Sequence, residues 1–134
     1  MSIIERFRQA INSAKNIVVT THVYPDADGI GAQIALCLAL RKLGKWAIGV
    51  NQKPLLQRYH YLDSSNLVIS AKEFQKSHSK REIDLLIVTD TNYIARIGAE
   101  AEKAVARARN VLFIDHHPCP KEIAAIHCID TTKA

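Results

Sequence analysis

Apolar residues recur at Ile3, Ile4, Phe7 and Ile11, with Glu5, Arg6, Arg8 and Gln9 on the opposite side. That spacing predicts an amphipathic opening helix. Residues 16–21, NIVVTT, form a short β-branched run that reads as a buried strand. HVYPDADG follows, and Pro25 and Gly29 mark it as a loop. Over 30–43 the pattern IGAQIALCLALRKL is apolar nearly all round, which predicts a buried helix stopped at Gly44. Residues 46–50 read as a second strand, 66–70 as a short edge strand, and 84–90, DLLIVTD, as the clearest buried strand. The stretch 54–62 has no decisive period, and AKEFQKSHSKRE predicts a surface helix or loop. Residues 98–109 predict an Ala-rich helix, with Glu100 and Glu102 early and Arg107 and Arg109 late, as a helix dipole favours. Residues 111–114 form the final strand of this reading and run straight into Asp115, His116 and His117.

Strands and helices therefore alternate. The expected fold class is α/β, an open, mostly parallel sheet with helices on both faces. No repeat or linker breaks the pattern, so residues 1–134 are expected to form one domain. At 48% hydrophobic and 23% charged, the chain has the composition of an ordinary globular protein with a real core. Three cysteines, Cys37, Cys119 and Cys128, show no CxxC spacing, which points to reduced thiols and a cytoplasmic location. No apolar run approaches the roughly 20 residues of a membrane span, and no signal peptide opens the chain, so no membrane partner is expected. The net charge of +5 is compatible with a phosphate-rich partner but equally with a solvated lysine-bearing surface. There is no aromatic-interleaved basic stripe of the kind that grips single strands.

Three of the predicted strands end in ionisable residues. The first leads to His22, Asp26 and Asp28, the next to Asp90, and the last to Asp115, His116 and His117. In an open parallel sheet, ligands bind outside the carboxyl ends of the strands. A single strand-end aspartate is most often a helix cap or a turn former. Four aspartates and three histidines converging with no lysine or arginine inside the motifs are harder to explain that way. Crowded carboxylates repel one another unless a cation sits among them. A mixed imidazole and carboxylate set suits Mn²⁺, Fe or Zn²⁺ better than Mg²⁺ alone. Two ions about 3.5–4 Å apart are the recurring device for in-line attack on phosphorus. Asp90, alone on the strand between the other clusters, is the natural bridge between them.

HVYPDADGIGA, VTDTNYIARIG and FIDHHP resemble the first three motifs of the DHH phosphoesterase superfamily. Their order and spacing are most similar to the nanoRNA-degrading oligoribonucleases that also act as phosphoadenosine-phosphate (pAp) phosphatases. The resemblance implies a metal-dependent phosphoesterase acting on short RNA or pAp-like nucleotides through a water activated by two divalent cations. Mn²⁺ is the first expectation, with Mg²⁺ or Co²⁺ as alternatives. It implies that His22 and Asp26 hold one metal, that Asp28 and His116 hold the other, and that Asp90 bridges them. Asp115 would orient a ligating histidine from behind, and His117 would face the phosphate as a catalytic group. Gly29 and Gly31 would allow close backbone approach, and Arg96 would be a structural or phosphate contact. A homodimer would be compatible with the resemblance.

Family members carry a fourth-motif aspartate on a later strand and a separate C-terminal substrate-binding domain. Asp130 stands too close to the third motif to be that aspartate, and nothing resembling the second domain is present. The expectation is therefore an incomplete DHH domain with weak activity alone. The alternatives are another phosphohydrolase of the superfamily (for pyrophosphate, polyphosphate, a cyclic dinucleotide or single-stranded DNA) or a catalytically silent binding module. Outside the motifs, Cys119 is expected to be a bystander, and His60, His78 and His127 to be surface residues. Trp46 is expected to pack on the core, and Lys72, Lys76, Lys80 and Arg81 to form a solvated run.

Overall fold

The computed structural model describes residues 2–115 and the backbone of the strand Ile126–Ile129. Six parallel strands form one sheet: β1 Asn16–Thr21, β2 Trp46–Asn51, β3 Val68–Ser70, β4 Leu85–Thr89, β5 Asn110–Asp115 and β6 Ile126–Ile129. Their order across the sheet is β3-β2-β1-β4-β5-β6. The chain steps outward from β1 to β2 and β3, then returns to the opposite side of β1 for the remaining three. The α/β fold class expected from the alternation of elements is the one observed. Strand β6 was missed: IHCI is only four residues long and follows no helical period that would announce it.

The helices are α1 Ile3–Ser13, α2 Ala27–Lys42, α3 Ala71–His78 and α4 Ala99–Val105, with 3₁₀ turns at Gln57–Leu62 and Ile94–Ile97. Alternate residues of each strand feed two core layers, because successive strand side chains point to opposite faces. Ile17, Val19, Leu85, Ile87 and Leu112 pack with α1, α2 and the first 3₁₀ turn. Val18, Leu86, Val88 and Phe113 pack on the other face with α3, α4 and the second turn. Serines start two of the helices: Ser2 Oγ accepts from Glu5 N at 3.2 Å, and Ser70 Oγ from Glu73 N at 3.1 Å.

Four details differ from the expectation. Helix α2 begins three residues earlier than its apolar run and is buried on one face only, through Ile30, Gln33, Ile34, Cys37 and Leu40. Leu38 and Leu43 face outward, so an all-round apolar pattern did not mean all-round burial. The buried amide of Gln33 is held by Val19 O and by a reciprocal pair of hydrogen bonds with Asn51. Helix α4 stops at Val105, and Arg107 folds back instead, donating to Arg81 O, His78 O and Ala104 O. His78 is half-buried rather than on the surface, edge-on to Trp46 at 5.3 Å and beside Phe74. Arg81 leaves the solvated run and stacks over Trp46 at 4.0 Å, a cation–π contact that sequence spacing does not reveal.

Burial pushes the Cys37 thiol up to about 12, as befits a packing residue with no reactive role. At the opposite end of the sheet from the strand-end clusters, Asp84 accepts from Asn16 N and Lys15 N, both at 2.8 Å. These two donors, joined by the nearby Arg109, hold its carboxyl below the usual range. A lowered folded value means stability that is present above the unfolded value of about 3.9 and lost as pH falls through the folded one. Wild type should therefore melt above Asp84→Asn by a constant margin from pH 7 to about pH 5, and the margin should shrink below about pH 4. A margin unchanged at pH 2.5 would show that the carboxylate charge is not what ties β4 to β1.

Candidate functional site

Strand order reverses between β1 and β4, and that switch point is where open α/β sheets bind ligands. The register is level there, with Thr21 opposite Thr89 and Thr89 opposite Ile114. Two hydroxyls clasp the strand ends: Thr21 Oγ1 donates to Thr89 O at 3.0 Å, and Thr89 Oγ1 donates to Thr20 O at 3.2 Å. The clasp fixes the separation of the residues that follow, His22 and Asp90. Sequence reasoning passed over both threonines, although β-branched hydroxyls ending two adjacent strands were visible in NIVVTT and LLIVTD.

Asp90 leaves the strand in a left-handed conformation, φ 61°, while its N–H still donates to Ile114 O at 2.9 Å. A non-glycine residue there is disfavoured, and such strain concentrates at functional sites. His22 Nε2 lies 3.1 Å from Asp90 Oδ2, and both side chains are about a quarter exposed. Asp26 is extended and caps α2, its Oδ1 accepting from Gly29 N at 2.8 Å. A side-chain carbon at Gly29 would sit 3.4 Å from Asp26 Oδ1, 3.7 Å from Thr21 Oγ1 and 3.9 Å from Asp90 Oδ2. The carboxylates of Asp26 and Asp90 thus border one small space beside the buried Gly29 in the first turn of α2, where the helix N-terminus adds positive potential. The cap reading of Asp26 and the ligand reading are compatible, because one carboxylate oxygen serves the helix and the other stays available.

Asp28 is exposed in the first turn of α2, and Asp115 is 7% exposed at the end of β5, the strand next to Asp90. Among the described residues, no three His, Cys, Asp or Glu side chains are grouped to hold one ion. His116 and His117, two of the expected site residues, lie outside the described residues, as do Cys119 and Asp130. Gly31 has no protein atom within 4 Å of where a Cβ would be, so no protein contact requires a glycine there. Arg96 has an exposed side chain, while its backbone O accepts from Val23 N at 2.7 Å. That bond ties the loop after β1 to the turn after β4. Among the described residues, no helix is long and apolar enough to cross a membrane.

Similarities to known proteins extend along most of the chain. A bifunctional oligoribonuclease and PAP phosphatase NrnA from Thermus thermophilus is 29% identical over 120 residues, which is 88% of this chain and 33% of the relative. This chain therefore spans about a third of that protein's length. An exopolyphosphatase-related protein from Bacteroides fragilis shares the fold with TM-score 0.83 and 24% identity, over 96% of this chain and 38% of the other. RecJ from Thermus thermophilus, crystallised with Mn²⁺, gives TM-score 0.54 and 19% identity over 97% of this chain and 16% of its own. The profile of the "DHH family, N-terminal domain" matches residues 16–134, and the chain belongs to that family.

Proposed function

We propose that this chain is the metal-binding part of a phosphoesterase that hydrolyses short oligoribonucleotides or pAp-like nucleotides. The observation that carries the reading is the contact of His22 Nε2 with Asp90 Oδ2 at the sheet's switch point, with Asp26 beside it. Two donors each about 2.1 Å from one ion, at right angles, stand about 3 Å apart. The 3.1 Å separation of these two atoms fits that demand. The donor types also fit, since imidazole with carboxylate suits Mn²⁺. The NrnA relative, with its named oligoribonuclease and PAP phosphatase activities, supports the choice of substrate.

In this reading His22 and Asp26 hold one cation, Asp28 and His116 a second, and Asp90 serves both. Bound divalent cations would supply a water deprotonated near neutral pH and would neutralise charge on the phosphoryl oxygens. The Thr21 and Thr89 clasp holds His22 and Asp90 at fixed spacing, so little reorganisation is needed on binding. Asp115, nearly buried at the end of β5, would orient a ligating histidine. His117 would face the phosphate and assist charge or proton transfer. A further domain of the family architecture would add grip on the parts of the substrate that this chain does not reach.

The test compares melting temperature in Mn²⁺ and in EDTA, alongside Mn²⁺-dependent release of mononucleotide from labelled di- to pentaribonucleotides and of phosphate from pAp. Mn²⁺ at about 100 times its Kd should add about 2.7 kcal/mol and raise the melting temperature by several degrees. Equal melting temperatures together with no hydrolysis would overturn the proposal.

A further inference from the structure

Two large aromatic side chains stand exposed on the loops that frame the switch point. Tyr24, on the loop after β1, is 80% exposed, and Tyr93, on the turn after β4, is 50% exposed. The loops that carry them are tied together although their rings are not buried. Val23 N donates to Arg96 O at 2.7 Å, and Arg96 N donates to Tyr93 O at 3.0 Å. Tyr93 N also donates to Thr91 Oγ1 at 3.3 Å, from a buried threonine. Pro25 restricts Tyr24 to an extended backbone from the other side. Tyr24, Arg96 and Tyr93 therefore form one tethered rim beside His22 and Asp90. Among the described residues, neither tyrosine ring stacks on another aromatic ring, and the Arg96 guanidinium makes no ion pair.

We infer that this rim is a nucleobase platform: Tyr24 and Tyr93 stack on a base of the substrate while Arg96 takes a neighbouring phosphate. The inference rests on the proposed function and narrows it. An inorganic polyphosphate or pyrophosphate has no π-face and no use for two exposed rings, whereas any nucleotide does. An aromatic ring also offers large contact area at small entropic cost, because only two side-chain torsions are fixed on binding. The tie between the two loops reduces that cost further. The selected substrate class is a base-bearing phosphate ester, with stacking tolerant of which base is present.

Adenosine 5′-monophosphate and ribose 5-phosphate differ only by the base, so calorimetry with both, in saturating Mn²⁺, isolates the platform. Wild type should bind the adenosine compound about 5- to 150-fold more tightly. Tyr24→Ala and Tyr93→Ala should each erode that preference while leaving ribose 5-phosphate and Mn²⁺ affinities unchanged, and Tyr24→Phe and Tyr93→Phe should retain it. Arg96→Ala should weaken both phosphates alike. Equal binding of the two probes by wild type, or an undiminished preference in both alanine variants, would overturn the platform and leave the phosphoesterase reading standing. Absence of Mn²⁺-dependent binding of either probe would overturn both.

Discussion

Replacing Asp90 should cost metal affinity with either of two small residues, while the glycine variant should be more stable than the alanine variant. Within the proposed function Asp90 is the shared ligand, so its loss weakens both ions together. The effect should exceed the roughly 10–100-fold that removal of a residue behind a ligand typically costs. Asp26→Asn should affect mainly one ion, and it retains an oxygen to cap Gly29 N. The backbone at Asp90 supplies the second half of the experiment, because φ 61° is left-handed. Glycine adopts that conformation freely, whereas alanine is disfavoured there by about 1–2 kcal/mol. In EDTA, Asp90→Gly should therefore melt about 4 °C or more above Asp90→Ala. Both should lose Mn²⁺ binding by calorimetry. Unchanged Mn²⁺ binding in Asp90→Asn would remove the bridging role, and equal melting of the glycine and alanine variants would show that the backbone there is not strained.

Gly98→Ala should be among the most damaging small substitutions in the chain. Gly98 has φ 102°, a conformation that side-chain-bearing residues rarely adopt. A methyl group there would also fall 2.6 Å from Gln52 Cδ and closer still to its Oε1. Gln52 cannot move aside without loss, since its Oε1 accepts from Ala101 N at 3.0 Å and caps α4 from a different element. Gly98 provides no side-chain cap of its own, so that bond is the local substitute. Backbone strain of about 1–3 kcal/mol and a lost cap of about 1 kcal/mol together predict a melting temperature roughly 10 °C lower. Gln52→Ala alone should cost about 1 kcal/mol, and the double variant should be little worse than Gly98→Ala, because the cap is already displaced. Additive losses would mean that the two residues do not share the capping geometry.

Much of the site was legible because its chemistry lies in short contiguous motifs. Asp26 was legible as a candidate ligand, whereas its cap on Gly29 N was not, because the apolar run set the helix start three residues too late. Adjacency of Asp90 to the first cluster followed from parallel pairing, and β1 and β4 are indeed neighbours. The His22 to Asp90 separation was not readable, since it depends on hydroxyl bonds between strands 68 residues apart in sequence. The bond from Val23 to Arg96 was hidden for the same reason, and with it the tie between the loops that carry Tyr24 and Tyr93. Arg81 and His78 were misjudged because a polar run tells nothing about an aromatic neighbour contributed by another strand.

The sequence by itself determined which segments are strands and helices in the main, through β-branched runs, helical period and caps, which are local properties of the chain. It also determined the chemical kind of each candidate ligand, and it set His22 and Asp90 directly after the strands β1 and β4. The tertiary structure alone decided the direction in which α2 shows its apolar side, since nearly every position of that helix is apolar and only the sheet beneath it defines an inside. It decided the left-handed turn at Asp90 and the cap that Gln52 gives to α4, because both arise from contacts between elements distant in the chain. Local patterns register short-range energies, whereas the spacing of a site is set by long-range pairing that no single segment encodes.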